Sequence, residues 1–371
     1  FSPSSPIYLR FDGELNPPPA DPLAATRPDA TVFLVDVTRG SPTYLERRPA
    51  LVEVTKTGDF HRPANLLQVL PVPGLPLRPG TTYAVVVLRG LGAPGFARLG
   101  QPPALLEALR GQAPAGKHGA ALGGALAPLV DALPSLGVPA EEVAAATVFT
   151  TGDPAAALRR WVSHVKTLPP PAMKGGLEVR DVYPDYTALK GTVRLPQTQK
   201  GRAPYVITGL FGGGEIAVRG GLPRTLRLDD ADFRVTVPKG RMPAKGFPLY
   251  FYVHGTGGDS DQAIDRGRWS TPDTPPPAGS GYAMTVGRAG WGTSCVSTLF
   301  SPRRIGFLAA DGYTAYNFLN PVAFRDNFRQ LVLELAHFRN LVLSLRIDPA
   351  LCPGTDASAA PDGKVRFDPD C

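Results

Sequence analysis

Proline and glycine punctuation decides most of what this chain can fold into. Clusters at Pro17-Pro18-Pro19, Gly40-Ser41-Pro42, Pro79-Gly80 and Pro169-Pro170-Pro171 cut the sequence into short runs. Proline removes a backbone donor and glycine loses the most backbone entropy on folding, so neither suits the interior of a long regular element. With 41 Gly and 42 Pro in 371 residues, a coiled coil and a helical bundle are excluded. The hydrophobic share of 43% is enough for packed cores, which excludes a mostly disordered chain. The length suits two to three domains.

The first ninety residues read as short strands: Ile7 to Phe11, Thr31 to Val37, Leu51 to Thr55, Asn65 to Leu70 and Thr82 to Leu88. Strands of this length between turn signals predict a small β-sandwich over residues 1–91. Residues 92–174 are Ala- and Leu-rich and predict a mostly helical connecting segment. Helices are expected near 103–110 and 119–133, a helix start at Pro139 with Glu141 and Glu142, and a strand over Ala146 to Thr151. Asp153-Pro154 is a cap-plus-proline start for a helix carrying Leu158, Trp161, Val162, Val165 and Leu168 on one face, ended by Pro169-Pro170-Pro171. His164 lies off that face and reads as a surface residue.

Residues 175–371 return to strands, at Leu177–Tyr183, Ala188–Leu195, Tyr205–Leu210, Phe233–Val237 and Leu249–Val253, with Tyr282–Val286 as a further candidate. Continuous apolar runs of this kind suit strands covered on both faces. Asn320-Pro321 starts the longest helix. Phe324, Phe328, Leu331, Leu335, Phe338, Val342 and Leu345 recur along it at helical spacing and predict its buried stripe.

The richest chemical signal is YFYVHGTGGD, residues 250–259, where a buried strand runs straight into His254-Gly255-Thr256-Gly257-Gly258. Glycines let the backbone turn sharply and leave N–H groups open. Backbone N–H groups aimed at one point can stabilise an oxyanion. The alternative is a glycine-rich turn with a structural histidine.

Together with LRPGTTYAVVVLRGL (77–91), ATVFTTGDPAAAL (146–158), FRVTVPKGRMPAKGFPLYFYVHGTGGD (233–259) and NPVAFRDNFRQLVLELAHF (320–338), this loop resembles secreted bacterial lipase/esterase-like proteins. Those proteins join an immunoglobulin-like N-terminal module to an α/β-hydrolase domain. The resemblance implies a multidomain fold. An immunoglobulin-like sandwich would span residues 1–91 and the connecting segment residues 92–174. The first part of an α/β-hydrolase sheet would span residues 175–371. It implies that His254, Gly255, Thr256, Gly257 and Gly258 border an oxyanion hole, and that Asn320 to Leu345 form the helix before the nucleophile-bearing strand. It further implies an ester or lipid-like substrate, no cofactor, and a secreted or cell-envelope location.

The sequence departs from that family at the nucleophile. A G-x-S-x-G elbow followed by an acid and a histidine is required, and none is present. The near misses surround Ser260, Ser280 and Ser294. His337, the only histidine after His254, sits on the long helix. The elbow would fall just past VRFDPDC, so the catalytic serine, acid and base are expected on a C-terminal segment of the same precursor or on a second polypeptide. The alternative is a non-catalytic binding or assembly protein with a degenerate hydrolase half.

Other chemistries are disfavoured. Five scattered histidines and no C-x-x-C give no metal site. Asp259, Asp261 and Asp265 do not follow the EF-hand pattern and read as a solvated loop. Phe211-Gly212-Gly213-Gly214-Glu215 lacks the phosphate-loop pattern. The net charge of +7 is scattered rather than clustered, so no nucleic-acid partner is expected. No transmembrane segment is expected, because Pro128, Asp131 and Pro134 interrupt the apolar stretch Gly119 to Val138. Cys352 and Cys371 flank a Pro/Gly/Asp/Ser-rich stretch that packs little core. A disulfide closing it would add about 3 kcal/mol in the chain-entropy model and would imply export. Cys295 is left over. A first residue of Phe1 fits a removed leader or a trimmed chain.

Overall fold

The computed structural model describes residues 1–205, 212–271, 273–305 and 316–370. The chain divides into two compact units, Phe1–Ala156 and Ala157–Cys371. The division differs from the expected one: residues 92–156 belong to the first unit and 157–174 to the second, so no separate connecting segment stands between them.

The first unit holds β1 (Ile7–Arg10), β2 (Val32–Asp36), β3 (Arg47–Arg48), β4 (Ala50–Thr55), β5 (Leu66–Pro71), β6 (Thr82–Leu88), α1 (Pro103–Leu109), α2 (Gly119–Leu136) and β7 (Val143–Thr150). Two antiparallel sheets form, in the orders β1-β5-β4 and β3-β2-β6-β7. Ile7, Leu67 and Val69 of the first pack against Leu34, Tyr83, Val85 and Val87 of the second. The opposite face of the second sheet, with Phe33, Val35, Ala84 and Val86, is covered by Leu105, Leu109, Leu126, Leu129 and Leu133 of the two helices. Coverage on both faces explains why β2 is buried at every position. The β-structure does not close at residue 91, because its fourth strand, β7, comes from residues 143–150. Pro128 and Pro134 do not interrupt α2, which continues to Leu136 and is long and apolar enough to cross a membrane by length and composition. Here it lays Leu126, Leu129, Ala132 and Leu133 on the sheet.

The second unit begins with α3 (Ala156–Lys166), β8 (Glu178–Val182), β9 (Tyr186–Gln197), β10 (Gln199–Gly201), β11 (Gly213–Ile216), β12 (Val218–Arg219), β13 (Leu222–Pro223), β14 (Arg227–Pro238), β15 (Gly240–Arg241) and β16 (Leu249–Phe251). Then follow α4 (Gln262–Asp265), α5 (Tyr282–Arg288), β17 (Gly292–Val296), α6 (Pro302–Ile305), α7 (Pro321–Ser344) and β18 (Thr355–Asp356). Its main sheet has the order β16-β17-β14-β9-β8. Among the described residues of this sheet only the β16–β17 pair is parallel, and β16 is an edge strand. Odd-numbered Leu189, Val193, Phe233 and Val235 face α7, which contributes Phe338, Leu341 and Val342. Even-numbered Tyr186 and Ala188 face Ile264 of α4 and Ala283 of α5.

Three expectations are corrected. Tyr282–Val286 is helical; an apolar run that short fits helix or strand equally. The strand is Gly292–Val296, hidden by its polar Thr293, Ser294 and Cys295, all buried. The α7 stripe is buried only in its second half. Toward the N-terminus, Phe328 is 46% exposed, while Asp326, Asn327, Gln330 and Glu334 are buried instead. They bond to the sheet: Ile216 N–H donates to Asp326 Oδ2 (3.0 Å), Gln199 Nε2 to Asn327 Oδ1 (2.8 Å), Thr198 Oγ1 to Gln330 Oε1 (2.5 Å), and Gln197 to Glu334. Finally, the stretch after α7 packs core. Cys352, Ala357, Ala360, Val365 and Phe367 are buried with the main cluster. Cys352 is a free thiol; Cys371 lies outside the described residues. The segment is held by β15–β18 pairing and an Ile347–Val365 bridge rather than by a staple on Cys352, which removes the basis for inferring export from it. The expected strand Tyr205–Leu210 falls, except for Tyr205, outside the described residues.

Candidate functional site

The loops that follow β16 and β17 leave the same end of the sheet, because those two strands are parallel. Crevices outside the carboxyl ends of parallel strands are where open sheets hold ligands. Here His254, Gly255, Thr256 and Gly257 from the first loop meet Thr298, Leu299 and Phe300 from the second. With Asn327, Phe328 and Leu331 of α7 they enclose a cavity of about 200 Å³. Gly258, the last residue of the expected loop, does not line it; it is buried, and its N–H closes a turn onto Gly255 O at 3.0 Å. That turn needs Gly257 at φ +74°, a left-handed conformation that glycine adopts freely.

His254 ties the loops together. Its Nε2 accepts the N–H of Thr298 at 3.0 Å, and Nδ1 lies 2.9 Å from Gly255 O. A backbone N–H can only donate, so Nε2 carries no proton and Nδ1–H donates to the carbonyl. Burial pushes the pKa of His254 down, outweighing the Gly255 hydrogen bond and the charge of Asp259, which raise it. Both ring nitrogens are thus occupied in a neutral imidazole, so His254 is a strut and no free general base.

Among the described residues, the N–H groups of Gly255, Thr256 and Gly257 donate no hydrogen bond. They border a cavity whose other walls include the apolar Leu299, Phe300, Phe328 and Leu331 beside His254, Thr298 and Asn327. Unpaired backbone donors beside an apolar wall suit a polarised carbonyl or an oxyanion. At the mouth, Tyr316 stacks on Phe318 (6.0 Å between centroids) and contacts Phe324 (5.9 Å) and Phe328 (6.3 Å), while Thr256 Oγ1 lies 3.3 Å from its hydroxyl. Phe318 is 79% exposed, so a partly exposed aromatic cluster adjoins Thr256 and Phe328.

Beneath the loop lies a charge cluster. Burial alone would raise the Asp261 pKa. The hydrogen bond from Arg234 and the charges of Arg234, Arg303 and Arg180 hold it below the usual carboxylate range. Arg234 makes a fork to Asp261 (2.6 and 3.0 Å), Arg180 Nε lies 3.0 Å away, and Arg303 reaches both Asp261 and Asp259. Asp265 pairs with Arg180. The three aspartates are therefore ion-paired to arginine, with Asp259 and Asp265 still partly exposed, and no metal-binding cluster exists among the described residues.

The serine near misses are not nucleophiles here. Ser260 and Ser297 are fully buried and bond each other through their hydroxyls (3.1 Å), Ser280 donates to Pro277 O (2.6 Å), and Ser294 is buried within β17. Burial pushes the Cys295 thiol up to about 12, so it holds no thiolate at neutral pH. His337 is buried on α7, and burial, helped by the charge of His164, pushes it down to about 4.

No family model matches this chain. No curated protein matches it either. Among solved structures, an acetyl xylan esterase from Paenibacillus sp. R4 is similar over 39% of this chain, at 9% identity and a TM-score of 0.21. The similarity spans 32% of that chain's length, and at this level it carries no weight for fold or chemistry.

The second loop was missed from sequence because β17 was missed. Thr298, Leu299 and Phe300 carry no motif; their one signal is position, at the carboxyl end of a strand parallel to β16. Phe328 and Leu331 were assigned to the core stripe and instead wall the cavity.

Proposed function

We propose that this chain forms the oxyanion-binding part of a secreted ester hydrolase of the α/β-hydrolase type, acting on esters with an apolar acyl group. The observation that carries the reading is the set of undonated N–H groups of Gly255, Thr256 and Gly257 beside an apolar cavity at the carboxyl end of β16. In acyl transfer, a nucleophile attacks the ester carbonyl and its oxygen gains negative charge. Donors already in place stabilise that charge without reorganisation, each contributing roughly a hundredfold or more in rate. The sheet order and the parallel β16–β17 pair favour this reading, because they set the loop at the site-bearing end. Among the described residues no serine or cysteine at the cavity has a free histidine beside it. The nucleophile, acid and base are therefore proposed on a further C-terminal segment or a second polypeptide, one that would also pair with the edge of β16.

A second reading is favoured by the occupied state of His254: a binding protein that holds an ester or carbonyl ligand without turning it over. The purified protein decides between them when assayed on p-nitrophenyl butyrate with and without a serine-reactive phosphonate. Hydrolysis that the phosphonate abolishes, with the adduct on a serine outside residues 1–371, supports the hydrolase. Saturable ligand binding with no turnover supports the binder.

A further inference from the structure

A second and larger cleft, of about 650 Å³, lies beside the half of β14 that extends past the end of β17. It is lined by Arg194, Arg202, Arg227 and Arg304 with Asp229 and Asp230. Its volume is in the range of small-molecule sites. Arg227 is held at four points: it bonds Asp229 (3.1 Å), the carbonyls of Gln199 (3.1 Å) and Gly201 (2.8 Å), and the Tyr205 hydroxyl (3.1 Å). The others are not. Arg304 has a side chain only 4% exposed, and its Nη1 is held by Glu334 Oε2 at 2.6 Å. Its Nη2 makes no hydrogen bond; the nearest carboxylate, Asp229, is 3.7 Å away. A buried donor without a partner is rare in folded proteins and calls for an explanation. Arg202 makes no ion pair among the described residues, and Arg194 has only a loose contact of 3.6 Å with Asp230, which is already taken by Lys174 at 2.7 Å. Basic groups therefore outnumber carboxylates around the cleft.

We propose that this cleft binds a small oxyanion group, a carboxylate or a phosphate, with Arg202 and Arg194 at its mouth and Arg304 at its floor. Guanidinium groups suit this task because their planar fork matches two oxygens of such a group at once. The site does not depend on the ester-hydrolase reading, since it shares with the other cavity only the apolar Leu299.

The test is a calorimetric titration of the whole protein with inorganic phosphate and, separately, with acetate, against sodium chloride at matched ionic strength. The expected result is saturable binding of at least one oxyanion. Arg202→Ala and Arg194→Ala should each weaken it roughly tenfold or more, the size of one lost hydrogen bond to a charged group. Both side chains are exposed at the surface, so the variants are expected to fold, and unchanged far-UV circular dichroism checks this. Saturation by phosphate alone assigns a phosphate-bearing ligand. Saturation by both assigns a general oxyanion site. No saturable heat with either anion, chloride heats equal to both, or unchanged affinity in the two variants would overturn the proposal.

Discussion

The backbone N–H of Thr298 donates to Nε2 of His254 at 3.0 Å, and this bond joins the loops that follow two parallel strands. Protonation of Nε2 would set two donors face to face. Burial already lowers the pKa of His254 from its ordinary value near 6.5. The unfolded chain therefore takes up this proton at a higher pH than the folded one does. The stabilisation from neutral His254 is complete above about pH 6.5 and declines as pH falls from there toward the lowered folded value. His254→Ala should flatten that part of the profile. It should also cost about 1–3 kcal/mol at pH 7.5 by leaving the Thr298 N–H unpaired. Urea unfolding of both proteins at pH 7.5 and pH 5 measures this; parallel pH profiles would refute it.

Asp261 gives the same direction at a lower pH. Its folded pKa is depressed below the ordinary carboxylate value, chiefly because the Arg234 hydrogen bond and the neighbouring arginine charges outweigh its burial. The stabilisation it supplies is complete above about pH 4 and is lost as pH falls through the folded value. Asp261→Asn leaves Arg234, itself 7% exposed, without its counter-ion, and should cost about 3 kcal/mol at pH 7. Denaturant midpoints of the variant and the parent check the size. An equal loss at pH 7 and pH 2.5 would show that the charge is not the cause.

Cys295 and Cys352 should be unreactive in the folded protein. Burial pushes both thiols up to about 12, and neither has a basic partner that reverses this. Alkylation with iodoacetamide at pH 7.5, read by peptide mass spectrometry, should leave both unmodified until denaturant is added. Rapid native labelling of Cys295 would mean that the HGTGG loop opens in solution and that the thiol below it is available to chemistry.

Most strands of the first unit were legible as short apolar runs between turn residues, as in Thr82 to Leu88, whereas β3, the pair Arg47–Arg48, was not. The cap of α7 was legible too: Asn320 accepts the N–H of Ala323 at 3.2 Å, as an Asn-Pro start suggests. What stayed hidden depends on partners distant in sequence. Thr293, Ser294 and Cys295 carry no apolar strand pattern, yet β14 and β16 pair on either side of them. Asp326, Gln330 and Glu334 lie off the apolar stripe expected for α7, yet each finds a buried polar partner, in Ile216, Thr198 and Gln197. The HGTGG loop was visible as a motif. The wall opposite it was not, since Leu299, Phe300 and Phe328 are ordinary apolar residues until the fold sets them around one cavity.

Phe328 tests the apolar wall apart from the backbone donors. It is 46% exposed, lines the cavity, and touches Phe324 at 5.5 Å and Tyr316 at 6.3 Å. Truncating a half-exposed ring costs less stability than truncating a core one. Phe328→Ala should therefore shift unfolding by no more than about 1–2 kcal/mol, well under the 3–5 kcal/mol expected for Phe338→Ala in the main core. A ligand whose acyl chain lies against that ring loses buried apolar area in the variant, at about 25 cal/mol per Å². Affinity should then fall more for a hexanoyl than for an acetyl ester, because the longer chain reaches the wall. Competition by the two esters against a fluorescent apolar probe, with parent and variant side by side, measures the difference. Equal losses for both chain lengths would place the acyl group elsewhere and detach Phe328 from substrate recognition.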